Sequence, residues 1–196
     1  MKPYAESCEQ NRAPILAVLR EQLAGHTHLL EIGSGTGQHA IYFAPAFPDL
    51  VWQTSELENA HTGIRSWLDE ASLPNVLPPV ALDVCNDSWP QASYDAVFSA
   101  NTAHIMSWRE VQCFFAGVGR ILETGGVFCL YGPFNYGGHY TSESNARFDQ
   151  WLQQRNPASG IRNFESLNEL AGRAGMRLSK DYEMPANNRT LVWSKV

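Results

Sequence analysis

The segment that most limits how this chain can fold is Glu31-Ile32-Gly33-Ser34-Gly35-Thr36-Gly37. It follows the apolar pair Leu29-Leu30 and leads into Gln38 to Phe47, where Ala40, Ile41, Ala44 and Phe47 recur at helical spacing. A strand that ends in spaced glycines and continues as a helix lets backbone amides approach a ligand closely at the helix N-terminus. Dinucleotide-binding turns follow GxGxxG, which would put a third glycine at residue 38, where this chain has Gln38. The spacing here is GxGxG, with the acidic Glu31 two positions before the first glycine.

The same alternation runs along the chain. Ile15, Leu19 and Leu23 mark a first helix whose opening turn suits Asn11 and Pro14, and Gly25 closes it. A second strand is expected over Leu50–Ser55, and a helix follows in which Ile64, Trp67, Leu68 and Ala71 share one face. Strands three and four are expected over Val80–Val84 and Ala96–Ala100. Ser107 and Glu110 have the spacing of a capping box. They precede an apolar stripe of Val111, Phe114, Phe115, Val118, Ile121 and Leu122 that ends at Gly125. Strand five, Val127–Tyr131, breaks at Gly132-Pro133 into a loop rich in glycine and aromatics. Two helices then follow, carrying Phe148, Trp151 and Leu152, and Leu167, Leu170, Ala171 and Ala174.

Met176–Glu183 and Thr190–Val196 read as two extended segments joined through Pro185-Ala186-Asn187-Asn188. Strands alternating with helices and closed by such a hairpin predict an α/β fold with a seven-stranded, mostly parallel sheet, one reversed strand and helices on both faces. A length of 196 residues points to one domain over 1–196, with residues 1–25 as an N-terminal helix and lid.

A formal charge of -6 and the lack of a basic cluster argue against a nucleic-acid partner. The opening residues lack an export signal and no stretch is long and apolar enough to span a bilayer, so the expectation is a cytoplasmic protein without a membrane partner. Cys8, Cys85, Cys113 and Cys129 are scattered without a CxxC pair and read as buried free thiols. The histidines are isolated from other ligand types, so no metal is expected. The oligomeric state is not legible.

The stretch Glu31 to Gly37 resembles motif I of class I S-adenosylmethionine-dependent methyltransferases. That resemblance implies a Rossmann-like methyltransferase fold and S-adenosyl-L-methionine as cofactor. Glu31 and the turn residues Gly33, Ser34, Gly35 and Gly37 would then hold the methionine end, whose ammonium needs an acceptor and whose carboxylate needs N–H donors. Glu56, with Leu57 after it, falls where an acidic side chain meets the ribose hydroxyls; a solvated surface carboxylate is the competing reading. Asp83 and Val84 match the position that meets adenine, and Asn101 follows strand four beside the transferred methyl. Asn101-Thr102-Ala103-His104 is not the Asx-Pro-Pro-aromatic signature of enzymes that methylate exocyclic amines of bases. His104 is a candidate general base, set against the plainer reading of a histidine positioned by packing.

Further segments narrow the resemblance. Gln10-Asn11-Arg12-Ala13-Pro14-Ile15-Leu16, Ser34 to Ala40, Tyr131-Gly132-Pro133-Phe134, Arg155-Asn156-Pro157 and Met184-Pro185-Ala186-Asn187-Asn188 are similar to the family that includes methyltransferase-like protein 26. Two positions depart from its pattern: Gln10 stands where a basic residue is expected, and Glu56 replaces the more usual Asp. The lid reading puts Asn11 and Arg12 near the cofactor. It gives the acceptor pocket two walls: the N-terminal segment with Tyr4, and the loop with Tyr136, His139 and Tyr140.

The function expected is direct in-line methyl transfer to a small-molecule substrate, in which positioning and exclusion of water supply much of the acceleration. A protein that binds the cofactor without turnover and acts through a partner surface is the alternative. A nicotinamide-dependent oxidoreductase is a third reading, opposed by Gln38.

Overall fold

A computed structural model describes residues 2–86 and 89–196. Its strands are β1 (His28–Ile32), β2 (Val51–Glu56), β3 (Val76–Ala81), β4 (Tyr94–Ala100), β5 (Leu122–Gly132), β6 (Phe134–Asn135), β7 (Arg162–Asn163), β8 (Met176–Met184) and β9 (Asn188–Lys195). Its α-helices are α1 (Glu6–Gln22), α2 (Gln38–Phe43), α3 (His61–Ala71), α4 (Trp108–Ile121), α5 (Glu143–Arg155) and α6 (Phe164–Arg173). Seven strands form one sheet in the order β3-β2-β1-β4-β5-β9-β8, and β6 and β7 pair separately. Strand β9 runs antiparallel to both β5 and β8, so it alone is reversed.

Both faces of the sheet are buried, which is why its central strands read as continuous apolar runs. In β5, Phe128 and Leu130 face a core shared with α4 and α6, while Val127, Cys129 and Tyr131 face a second core under α1 and α2. Strand β4 divides in the same way, with Val97 in the first core and Ala96 and Phe98 in the second. The capping box at Ser107 and Glu110 forms, satisfying two amides that the start of α4 would otherwise leave unpaired.

Several boundaries differ from the sequence reading. Helix α1 begins at Glu6, ahead of the expected start, and carries Pro14 inside it. The segment expected as one helix to Phe47 is α2 followed by a 3-10 turn over Ala44–Ala46, where Pro45 removes a backbone donor. Strand three is displaced: β3 spans Val76–Ala81, and Leu82–Val84 lie beyond its end. Pro78 and Pro79 obscured it, yet β3 lies at the edge of the sheet, where missing donors are tolerated. Asp83 therefore sits on a loop and not at a strand terminus.

The cysteine reading is also corrected. Cys85 and Cys113 form a disulfide between the loop after β3 and helix α4, leaving only Cys8 and Cys129 as free thiols. Their sequence separation of 28 gives no hint of contact. The fold brings them together because the chain returns from the sheet edge to cover its face.

Candidate active site

The strand order reverses between β1 and β4, so the connections leaving those strands diverge and open a crevice at their C-terminal ends. The glycine turn leaves β1 there, and Asn101–His104 leave β4. These two connections touch. A Cβ placed on Gly33 would meet Thr102 Cγ2 at 2.5 Å, and Gly33 has φ of 73°, so approach and conformation both require glycine. Ser99 fixes Thr102 from below: its hydroxyl donates to the Ile32 carbonyl at 2.6 Å and lies 2.7 Å from the Thr102 hydroxyl. Gly37, with φ of 88°, lets the start of α2 lie against Ile64 of α3.

Glu31 lies beneath the turn and is 2% exposed. Its Oε2 accepts hydrogen bonds from the Ser34 hydroxyl at 2.9 Å and from Trp52 Nε1 at 3.1 Å. Burial raises its carboxyl to about 7, opposed by those two hydrogen bonds and reinforced by the nearby charge of Glu56. Glu56 reaches the same turn, with Oε2 accepting from the Gly35 amide at 3.1 Å and Oε1 from the Leu57 amide at 2.9 Å. Glu31, Glu56 and the glycine amides thus form one constellation. Asp83 is carried on the adjoining loop, tethered through the Leu82 amide to the Glu56 carbonyl. Its carboxylate accepts from the Cys85 amide and the Asn86 side chain, and the Cys85–Cys113 disulfide fastens that loop to α4. Val84 is buried in the core beside it.

Helix α1 covers the turn. The Ala5 amide donates to Gln38 Oε1 at 2.7 Å, Gln38 Nε2 donates to Glu9, and the Pro3 carbonyl accepts from Trp67 of α3. The Cys8 thiol, raised to about 11 by burial and by Glu31, has Thr36 as a hydrogen-bond partner. Asn11 is buried, its Oδ1 2.8 Å from His39 Nε2. Burial lowers His39 to about 4, so the ring is neutral and its N–H donates. Arg12 pairs with Glu9, which accepts from Gln38 at the turn, and lies over the Tyr42 ring.

Beside this constellation lies a cavity of about 140 Å³, bounded by Ser7, Asn11, Asn101, Tyr131, Ala186 and Asn188, with Gln10 also on its wall. Tyr4, Tyr136, His139 and Tyr140 are not among its lining residues. Tyr4 is 62% exposed. The Tyr136 hydroxyl donates to Asp181 and its ring stacks on Phe164, while Tyr140 donates to Asp149. Tyr136 and His139 are bridged to each other, and Gly137 donates to Glu165. The wall expected from this loop is therefore tied toward α5, α6 and β8. His104 is 7% exposed, packs edge-on to Phe148 and accepts the Gly160 amide through its carbonyl. Burial, with Arg162 nearby, lowers its ring to about 4, which favours a neutral, packed imidazole over a base matched to neutral pH.

Residues 2–195 match the model of the family described as "Protein of unknown function (DUF938)". The chain belongs to the DUF938 family. Solved structures share its fold. An O-methyltransferase family protein from Burkholderia thailandensis superposes with a TM-score of 0.83 at 14% identity, covering 93% of this DUF938 chain and 55% of that one. An O-methyltransferase family 2 protein from Planctomyces limnophilus DSM 3776, in complex with apigenin, gives 0.85 at 13% identity, with coverages of 97% and 58%. Human N-acetylserotonin methyltransferase in complex with SAM gives 0.79 at 14%, with 97% and 53%. The chain thus spans little more than half the length of these structures.

Sequence reasoning missed Thr102, which packs against the glycine turn, and Tyr131 and Asn188, which line the cavity. Tyr131 and Asn188 lay in segments singled out for their similarity, but only the fold sets them opposite Asn11. Among the described residues no three His, Cys, Asp or Glu side chains are grouped as a metal site requires, and no helix is long and apolar enough to cross a membrane.

Proposed function

We propose that this chain is a methyltransferase domain that binds S-adenosyl-L-methionine and transfers its methyl group directly to a small-molecule acceptor. The observation that carries this reading is the buried Glu31 carboxylate under an amide-lined turn at the point where the strand order reverses. A carboxylate so buried is strained in its charged form unless a cation joins it, and an amino-acid ammonium is such a cation. The Gly35 amide, bonded to Glu56 in the chain alone, suits the carboxylate of the same amino acid once Glu56 turns to the ribose. Glu56 would take the ribose hydroxyls, with Asp83 and Val84 toward the adenine and Leu57 and Asn101 flanking. The sulfonium supplies an activated methyl; the chain's own residues bind, orient and exclude water. His104, packed against Phe148 and lowered in basicity, takes a positioning role in this proposal and not that of a base.

Kinship with the family that includes methyltransferase-like protein 26 is part of the same proposal. Its support is spatial: Asn11 and Pro14 from one similar segment, Tyr131 from another, and Pro185, Ala186 and Asn188 from a third line one cavity.

Titration calorimetry with S-adenosylhomocysteine tests the cofactor. Saturable one-to-one binding that Glu31→Gln weakens supports the reading. Failure of S-adenosylhomocysteine and S-adenosylmethionine to bind, or a melting temperature raised by NAD instead, overturns it.

A further inference from the structure

The cavity bounded by α1, Asn101, Tyr131 and the turn before β9 has a chemistry of its own. Its lining includes Ser7, Gln10, Asn11, Asn101, Tyr131 and Asn188, and no lining side chain carries a charge. Two of its wall residues are chain neighbours of residues that touch the glycine turn. Ser7 precedes Cys8, whose thiol meets Thr36, and Asn101 precedes Thr102, which abuts Gly33.

The polar groups stand side by side. His39 donates to Asn11 Oδ1, and the Asn11 and Asn188 side chains line the cavity beside the Tyr131 phenol. With Oδ1 accepting from His39, Asn11 is left its amide N–H to offer Tyr131. The Asn188 amide faces the same oxygen, so the phenolic hydrogen is left for a ligand. The turn that carries Asn188 is unusual. Ala186 and Asn187 both adopt left-handed φ, 56° and 58°, as does Asn101 on the facing wall at 61°. Non-glycine residues seldom hold that conformation, and it persists where surrounding contacts impose it. Buried Asn145 of α5 anchors the Ala186–Asn187 turn by donating to the Asn187 carbonyl at 3.1 Å.

We propose that this cavity receives the methyl acceptor, that the acceptor is an uncharged molecule presenting about one ring's width to the cavity, and that Tyr131 orients it. The inference rests on the methyltransferase reading. About 140 Å³ is close to the space that encloses a benzene ring. A charged acceptor would lose its hydration among groups that offer no counter-charge. The lining also offers no general base: burial raises the Tyr131 phenol, which keeps its proton, and carboxamides do not take one up. The attacking atom must therefore bring a lone pair that needs no prior deprotonation, as a neutral nitrogen does. That lone pair forms the new N–C bond to the methyl of a sulfonium donor while the S–C bond breaks and its electron pair stays on sulfur. Positive charge passes from sulfur to nitrogen, and any N–H proton is released afterwards to water.

The test uses the full chain loaded with S-adenosylhomocysteine. Saturation-transfer NMR reads the binding of pyridine, phenol, benzoate and benzylammonium, and methyl transfer from S-adenosylmethionine is followed for the same probes. The expected result is that pyridine and phenol bind, the two ions do not, and pyridine is methylated faster than phenol. Tyr131→Phe and Asn188→Ala should leave S-adenosylhomocysteine affinity within twofold and weaken pyridine binding at least fivefold, with KM rising more than kcat falls. Calorimetry of the variants reports whether they fold and bind cofactor. Absence of S-adenosylhomocysteine binding to the unsubstituted chain would defeat the methyltransferase reading. Intact cofactor binding with preference for an ion, no binding of either neutral ring, or indifference to both substitutions would defeat this one.

Discussion

If an ammonium is the natural partner of Glu31, cofactor affinity must depend on pH in a particular way. Burial holds this carboxyl at about 7, and only its ionised form can pair with the ammonium. At pH 6 about a tenth of the free protein would be ionised there, and at pH 8 about nine-tenths. S-adenosylhomocysteine should then bind roughly tenfold more tightly at pH 8, a difference of about 1.4 kcal/mol, and lose a further factor of about ten per unit below pH 6. Three neighbours of the turn do not supply this window: His39 and His104 are lowered to about 4, and the Cys8 thiol is raised to about 11. Glu31→Gln keeps acceptors for Trp52 and Ser34, so the turn should hold its shape. It removes a charge-assisted hydrogen bond, which corresponds to a loss of roughly 1.5–3 kcal/mol at pH 8. The variant should also bind with no slope between pH 6 and 8. Calorimetry at four pH values for both proteins gives the answer. A flat profile in the unsubstituted chain, or an equal slope in the variant, would refute the assignment of the ammonium to Glu31.

Gly33→Ala should cost more than about 1 kcal/mol, from the left-handed backbone and the clash with Thr102 Cγ2, and adding Thr102→Ser should recover part of it; urea melts of the three variants measure both contributions. Opening the Cys85–Cys113 link by Cys113→Ser should remove about 3–4 kcal/mol by loop-closure entropy over its separation of 28, lowering Tm by roughly 10 °C, and should loosen the loop that carries Asp83. A Tm unmoved by the substitution or by reductant would show that the link does not constrain the chain. Stability itself should fall as pH drops from about 6 to about 4.5. Over that range His39 and His104, lowered from 6.5 to about 4, take up protons only when unfolded, whereas Glu31, raised from 4.5 to about 7, holds one only when folded. The net uptake of one proton on unfolding gives about 1.4 kcal/mol per pH unit, and His39→Gln should bring that slope close to zero in pH-dependent urea melts.

The parallel sheet and the glycine turn were legible because their signals are local. Apolar runs bounded by glycine and a capping box at Ser107 and Glu110 each lie within a dozen residues, and the C-terminal hairpin pairs segments joined by a single turn. Strand β3 was misplaced because prolines mask a strand whose tolerance of them follows from its position at the sheet edge. Sequence cannot give that position until the whole order is known. The disulfide was missed for the same reason. The aromatic loop after β5 shows another limit: its composition suits a binding wall, but its partners Asp181, Glu165 and Asp149 are set only by the fold. Tyr131 went unremarked as a site residue because it closes an apolar strand and reads as core, which its ring is.

Gln38 shows how one residue can serve both levels of the problem. In sequence it occupies the third-glycine position and so argues against a dinucleotide turn. In the fold it is 3% exposed and its carboxamide makes three hydrogen bonds, with Oε1 accepting from the Ala5 amide and the Thr36 hydroxyl and Nε2 donating to Glu9. Those bonds seat the start of α1 over the turn, and α1 in turn places Asn11 against His39 and Tyr131. A glycine at residue 38 would offer no such clasp. The departure that separates two cofactor classes in the sequence is thus also the contact that sets the cavity wall, so the cofactor turn and the proposed acceptor pocket depend on the same side chain.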